Sequence, residues 1–353
     1  MRMGKKKGIV NAVFLSLVFA ATVWMVFHGQ NLKEVVGYVQ SADVRYWILA
    51  AVCVFLFTVG EAVNIGYMLH TVGLKVRVFH CLLYSFVGFF FSCITPSSTG
   101  GQPMQLFYMR KDKISTPIAS LVLMIVTITY KAVLVAVGIL VLILRPSKII
   151  SYLAPVLGLC WLGLFLNALT VVFLLLLVFH PTLAHSMVVR VVEWLGKLRL
   201  IRRPERYLKR IDGAMEQYSH VAGYFRAHKS VVWKVFLITL VQRFLLFNVT
   251  YLIFRSFGFH GADFLTVILL QGIIAVAVDM LPLPGGMGIS EKLFLTIFAP
   301  LSGGLTLPLM IVSRGLSFYT QLILSALMTA VAHLTIARGA KGTDIENGSE
   351  EGA

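Results

Sequence analysis

Charged residues are scarce in this sequence. They make up 13% of it, and only 15 residues are acidic. Soluble domains carry about 25% charged residues, so a soluble enzyme and a disordered chain are both excluded. Cysteine is scarcer still: Cys53, Cys81, Cys93 and Cys160 lie in apolar stretches, without a CxxC pair and without histidine at ligand spacing. They read as small buried hydrophobes, and neither a metal nor another cofactor is expected. A catalytic set is lacking too. His70, His80, His180, His185, His220, His228, His260 and His333 lie mainly at segment ends or in loops, none spaced with a Ser or Cys nucleophile. Ser97 and Ser98 read as turn or capping residues. No recognised nucleic-acid module accompanies the basic charge, so nucleic acid is not an expected partner.

Apolar residues are what the chain has. Of its 353 residues 58% are hydrophobic, and the mean hydropathy is +0.86. About 20 apolar residues cross a bilayer core. Apolar segments fall at 9–27, 46–69, 78–94, 117–144, 152–179, 231–254, 264–281 and 305–336. The stretches 95–109 and 282–300 are moderately apolar but interrupted by Gly and Pro. The Lys-rich N-terminus followed by an apolar run to Phe27 reads as an uncleaved first span.

Lys and Arg decide how the segments cross. If all of them span, the loop 180–230, with Arg190, Lys197, Arg199, Arg202, Arg203, Arg206, Lys209, Arg210, Arg226 and Lys229, falls outside. That violates the positive-inside bias. If 78–109 is a re-entrant hairpin opened from inside and 264–300 one opened from outside, the loop, Arg110, Lys111, Lys113 and both termini are cytoplasmic. Only Lys33, Arg45, Arg145, Lys148 and Arg255 then remain outside. The expected fold is an all-α polytopic membrane protein with about six full spans and two re-entrant hairpins. Its integral membrane domain covers 1–336, with a first unit at 46–144 and a second, oppositely oriented, at 231–336. Residues 337–353 read as a disordered cytoplasmic tail. Leu208, Ile211, Met215, Tyr218, Val221 or Ala222, and Phe225 recur at helical spacing inside the basic loop. This is either an amphipathic helix on the inner leaflet or a plain connector.

The hairpin tips look alike: Thr95-Pro-Ser-Ser-Thr-Gly-Gly-Gln-Pro103 and Leu281-Pro-Leu-Pro-Gly-Gly-Met-Gly-Ile-Ser-Glu291. Paired Gly/Pro interruptions in two halves point to a transporter's central site. Aligning Gly100-Gly101 on Gly285-Gly286 brings position 61 near Arg243 and position 131 near Arg314. New helices are expected at the tips, one with Pro103 at its first position and one capped by Ser290, their positive ends facing mid-membrane. Glu61, Lys131, Arg243, Asp279, Glu291 and Arg314 sit within or beside apolar segments, where an isolated charge costs about 2.5–3.5 kcal/mol. They can pair as a structural lock, for example Glu61 with Lys131 and Asp279 or Glu291 with Arg314. They can also line a mixed cavity that suits a zwitterionic or amine-modified phospholipid headgroup. The substrate-binding candidates are Glu61, Thr95, Thr99, Gly100, Gly101, Gln102, Lys131, Arg243, Gly285, Gly286, Glu291 and Arg314.

The two tip sequences resemble the signature stretches of the lysylphosphatidylglycerol synthase transmembrane-region family, also called flippase-like, over roughly 9–336. That family includes the membrane half of the multiple peptide resistance factor. The resemblance implies a lipid-handling protein of the bacterial plasma membrane, with Glu61 and Arg314 among its in-membrane polar positions and a link to antibiotic resistance. In the full-length factor a separate cytosolic domain makes the aminoacylated lipid. Here the chain stops shortly after the last apolar segment, which ends at position 336 of 353, so no synthase domain is expected. The expected function is translocation of an anionic or aminoacylated phospholipid. The alternatives are a membrane component working with a separate synthase, and an ion-coupled small-solute transporter. Membrane lipids are the expected partners, and a homo-oligomer is compatible with the sequence.

Overall fold

A computed structural model describes residues 32–144, 146–197, 204–259, 261 and 263–337. The expected first span at 9–27, Arg145, Arg199, Arg202, Arg203 and 338–353 of the expected tail lie outside the described residues. Only the backbone is described for Lys148, Lys197, Arg206, Leu208, Lys209, Arg210 and Ile211. No strand occurs among the described residues. A short helix, α1 (Leu32–Ser41), precedes α2 (Val44–Thr71). The first hairpin is α3 (Val78–Ile94) and α4 (Gly101–Lys111), followed by α5 (Thr116–Leu142), α6 (Ser147–Leu153) and α7 (Leu157–Phe179). The basic loop forms α8 (Pro181–Lys197) and α9 (Pro204–Ala227). Then come α10 (Lys229–Ser256), a second hairpin of α11 (Phe264–Val278) and α12 (Ile289–Ser302), and the last span. This span is α13 (Thr306–Arg314), a π turn at Gly315–Tyr319, α14 (Thr320–Ala332) and a second π turn at His333–Ala337.

Among the described residues five stretches are long and apolar enough to cross a membrane: Val44–Thr71, Thr116–Leu142, Ile149–Phe179, Lys229–Ser256 and part of Pro284–Ile336. On α7, Leu162, Phe165, Leu169 and Val172 are exposed, as lipid-facing side chains are. The chain is a multi-pass membrane protein.

The long helices α2 and α10 pack antiparallel. Asp43 N–H donates to the Ser256 carbonyl at 2.9 Å, Trp47 Nε1 to Ser256 Oγ at 3.2 Å, and Asn64 Nδ2 to Thr239 Oγ1 at 3.0 Å. The two helices are equally long, and setting Val44 on Lys229 matches them from end to end. The same register sets Gly73 on Gly258, where φ is +85° and +83°. Each glycine ends its helix in the left-handed conformation that L side chains avoid. The same bonds follow: Leu74 N–H reaches the Leu69 carbonyl, and Phe259 N–H the Phe254 carbonyl.

The hairpins turn back within the membrane. Asp112, just past α4, accepts from the Tyr84 hydroxyl and contacts His80 Nδ1 at 2.6 Å. The end of the return helix therefore lies beside the start of α3. The 11 residues of α4 rise about 16 Å, half of a core of about 30 Å, which puts the tip near the midplane. The close approach needs Gly101, where a Cβ would stand 2.6 Å from the Gly88 carbonyl oxygen. In the second hairpin Asp263 caps α11 by accepting from Thr266 N–H at 2.9 Å. Ser302, at the end of α12, shares a 2.8 Å hydrogen bond with Thr306 of α13. The first hairpin opens toward the face carrying Lys75, Arg77, Arg110, Lys111, Lys113 and the α8–α9 pair. The second opens toward the opposite face.

The tips meet: Ser97 Oγ donates to the Leu281 carbonyl at 3.2 Å. Each is a single 3-10 turn, Pro96–Ser98 and Pro284–Gly286. Positive φ falls on Ser97 and Ser98 (49° and 54°) in one and on Gly285 and Gly286 (57° and 65°) in the other. The tips therefore align with Pro96 on Pro284, which places Ser97-Ser98, and not Gly100-Gly101, opposite Gly285-Gly286. Gly100 corresponds instead to Gly288, and both precede a helix. Two helix starts also differ from the sequence expectation. Pro103 is the third residue of α4, and Gly288 takes the cap expected of Ser290 because Glu291 reaches back to its N–H at 2.7 Å.

From Tyr218 onward the stripe on α9 packs on protein, so of the two alternatives the leaflet-bound helix is not the one formed. Tyr218, Val221, Ala222 and Phe225 are buried in a core shared with α5, α7 and α10. Tyr218 donates its hydroxyl to the Leu177 carbonyl at 3.2 Å. Burial pushes the phenol up from 10.0 to about 12. It is α8 that exposes apolar residues: Leu183, Met187, Val188 and Trp194.

Candidate functional site

Mid-membrane charges come from α2, α5, α10, the end of α11, α12 and α13. Two pairs are closed. Lys131 Nζ donates to one oxygen of Asp279, and the Tyr130 hydroxyl donates to the other. Lys131 is 8% exposed, so each carboxylate oxygen compensates a group that has left water. Arg314 Nε donates to Glu291 Oε1 at 2.8 Å, and its second nitrogen reaches the Gly285 carbonyl at 3.2 Å. Glu291 Oε2 accepts from Gly288 N–H and from Ser290 Oγ at 2.9 Å. That pair fastens the second tip to the last span. In the first unit Gln102 donates to Thr127 of α5, the neutral counterpart of the same link.

Glu61 and Arg243 are left apart, and no ion pair joins them or ties either to another residue among the described residues. The Glu61–Lys131 pairing considered from sequence does not form, because Asp279 takes the lysine. Glu61 Oε1 instead accepts from Gln105 Nε2 at 2.7 Å. The Arg243 guanidinium lies 3.5 Å from the centre of the Tyr130 ring and 4.9 Å from that of Phe57. Its Nε is buried without a hydrogen-bond partner among the described residues. A cation–π contact recovers about 0.5–2 kcal/mol, and the half-buried guanidinium keeps part of its desolvation cost uncompensated. The two charges still sense each other electrostatically. The result is an acceptor and a donor of opposite sign, each held open by its own neutral partner.

The tip residues divide by role. Thr95 Oγ1 donates to the Phe91 carbonyl at 2.6 Å and accepts Gly100 N–H at 2.9 Å. Thr99 Oγ1 donates to the Pro96 carbonyl at 2.9 Å. Both hydroxyls brace the turn. Gly285 lies under the Phe318 ring, Gly286 against Val278, and Gly101 against Gly88. Ser98, Thr99 and Gln102 are exposed at membrane depth, where irregular polar backbone survives only beside protein or a wet cavity. The structure thus brings Lys131 and Arg243 together around Tyr130 and Asp279, and Gly285, Glu291 and Arg314 around the second tip. Four contributors escaped the sequence-based set: Gln105, Phe57, Tyr130 and the exposed Lys292 on α12. Gln105 follows Gln102 by one helical turn, the signal that marks it. The aromatic partners carry no such mark among so many rings.

No curated protein matches the chain by sequence. The model of the family described as lysylphosphatidylglycerol synthase TM region matches residues 9–325. With most of its length matched, helical hairpins included, the chain belongs to the lysylphosphatidylglycerol synthase transmembrane-region family.

Proposed function

We propose that the protein translocates an anionic or aminoacylated phospholipid across the bacterial plasma membrane, its basic face and both termini on the cytoplasmic side. The observation that carries this is the open Glu61/Arg243 couple. An arginine with free donors recognises a phosphate oxygen in forked geometry, and a carboxylate held by one amide can still accept from an ammonium. A headgroup bearing both charges satisfies the two residues at once, removing the burial penalty that Arg243 bears alone. The exposed polar edge of the first tip and the exposed Lys292 support a wet route beside the site.

Purified protein in liposomes with headgroup-labelled lipids tests this through leaflet exchange. Exchange above empty liposomes is expected, falling about tenfold or more in Arg243→Gln, the loss of roughly 1.4 kcal/mol of headgroup binding. Glu61→Gln is expected to slow only lipids that carry an amine. Exchange equal to empty liposomes across several headgroups contradicts the proposal. The family description favours a second reading, a membrane component that presents lipid to a separate synthase. It calls for a stable synthase partner in pull-downs and no exchange by the protein alone.

A further inference from the structure

Helices that face lipid show it in their side chains. On α7 the exposed stripe is Leu162, Phe165, Leu169 and Val172. The return helix of the second hairpin, α12, carries an exposed stripe of another kind. Lys292, Thr296 and Ala299 follow one another at steps of four and three, so they share one face. Lys292 and Ala299 are exposed and Thr296 is half-buried, while no large apolar side chain of α12 is exposed. Such a face gains little from lipid tails, and its lysine would lose its hydration among them.

The lysine is deep. It lies ten residues before Ser302, where α12 ends. That is a rise of about 15 Å, half of a hydrocarbon core of about 30 Å. Lysines near membrane surfaces snorkel to the interface, but this one starts from the middle of the bilayer. Protein does not neutralise it either. Lys292 forms no ion pair among the described residues. The carboxylate of Glu291 is spent on Arg314, Gly288 N–H and Ser290 Oγ, and that of Asp279 on Lys131 and Tyr130. Adjacent residues on a helix do not face each other. Glu291 is buried at 2% exposure, and Lys292 points away from it into the open. Thr296 spends its hydroxyl proton on the Lys292 carbonyl at 2.9 Å, so the ammonium is the donor that this face offers.

We propose that Lys292, Thr296 and Ala299 line a water-filled vestibule running from the tips to the face opposite the basic one, and that Lys292 is a station in it for the phosphate of an anionic phospholipid. Water keeps the ammonium hydrated between visits, and the phosphate supplies the counter-charge that the protein withholds. The station differs in kind from Arg243. A guanidinium stacked on Tyr130 and Phe57 holds a phosphate by a fixed fork, whereas a lysine on a flexible stem meets it as a point charge and releases it to water more readily. The identity of the anion rests on the proposed headgroup route; the vestibule does not.

Thiol labelling tests both parts, in a full chain whose four native cysteines are replaced by alanine. In membrane vesicles of either orientation, an uncharged, bilayer-impermeant maleimide is expected to modify Thr296→Cys and Ala299→Cys only from the side opposite to Lys75→Cys, and Leu169→Cys from neither. In dodecyl maltoside micelles, added phosphatidylglycerol is expected to slow modification of Thr296→Cys by about tenfold, equivalent to roughly 1.4 kcal/mol. Lys292→Gln is expected to abolish that protection and Lys292→Arg to keep it. Thiols at 296 and 299 as inert as Leu169→Cys overturn the vestibule, and protection that survives Lys292→Gln overturns the station. Protection by inorganic phosphate with none from phosphatidylglycerol assigns the station to a soluble anion and overturns the lipid assignment. Leaflet exchange is read separately: exchange with an unprotected thiol rejects this station alone, and protection without exchange rejects translocation alone.

Discussion

Replacing Asp279 with asparagine strands a lysine in the middle of the membrane. Lys131 is 8% exposed, and its ammonium rests on Asp279 Oδ2, with the Met280 sulfur at 2.9 Å as a weak second acceptor. Breaking a buried pair by removing one partner costs about 3–5 kcal/mol, since the surviving charge keeps its desolvation penalty. The Tyr130 hydroxyl also exchanges a charged acceptor for a neutral one, worth up to about 1 kcal/mol more. Asp279→Asn should therefore destabilise the protein by about 4 kcal/mol. The double change Lys131→Met with Asp279→Leu removes both charges at similar volume and should fall within about 1 kcal/mol of the parent. Arg243→Gln should also fall within about 1 kcal/mol, because it gives up a cation–π contact but sheds an uncompensated charge. Unfolding of the purified protein in mixed micelles, titrated with a denaturing detergent, measures all three. A single mutant as stable as the parent, or a double mutant as damaged as the single, refutes the assignment of Lys131–Asp279 as a structural pair.

Gly101→Ala places a Cβ 2.6 Å from the Gly88 carbonyl oxygen and should cost about 1–3 kcal/mol by forcing α3 and α4 apart, read as a lower midpoint in the same titration. Arg314→Ala removes the tether to Glu291 and Gly285, and should raise the reactivity of a thiol introduced at Gly286 while leaving the first tip unchanged. The raised Tyr218 phenol contributes stability that is complete below its unfolded value near 10 and lost as pH climbs through about 12. Phenolate absorbance should thus follow the release of α9 in that alkaline window, and Tyr218→Phe should abolish the coupling.

Much of the scaffold is legible in the sequence, since hydropathy and basic residues act over whole segments. Apolar runs of bilayer length mark the spans, and keeping the basic loop at 180–230 on the side of the Lys-rich N-terminus requires an even number of crossings between them. Turning 78–109 back as a hairpin satisfies that condition, and the structure contains that hairpin and the second one. The tips are harder to align, because glycine permits a positive φ without requiring it. Gly100 and Gly101 adopt ordinary helical geometry, while Ser97 and Ser98 take the left-handed turn. Pairing was equally hidden. Six charges in apolar segments state that compensation is needed, but which carboxylate meets Lys131 depends on where the end of α11 packs. The α9 stripe shows that periodicity reports an apolar face and stays silent about what covers it, here the bundle itself.

Two oppositely opened hairpins touch at the midplane, and cross-linking of the tips tests that contact most directly. In a chain freed of its native cysteines, Ser97→Cys combined with Leu281→Cys should form a disulfide within the membrane under mild oxidation, since Ser97 Oγ already lies 3.2 Å from the Leu281 carbonyl. Two thiols that remain separate, each freely modified by a water-soluble reagent from its own side, would contradict it.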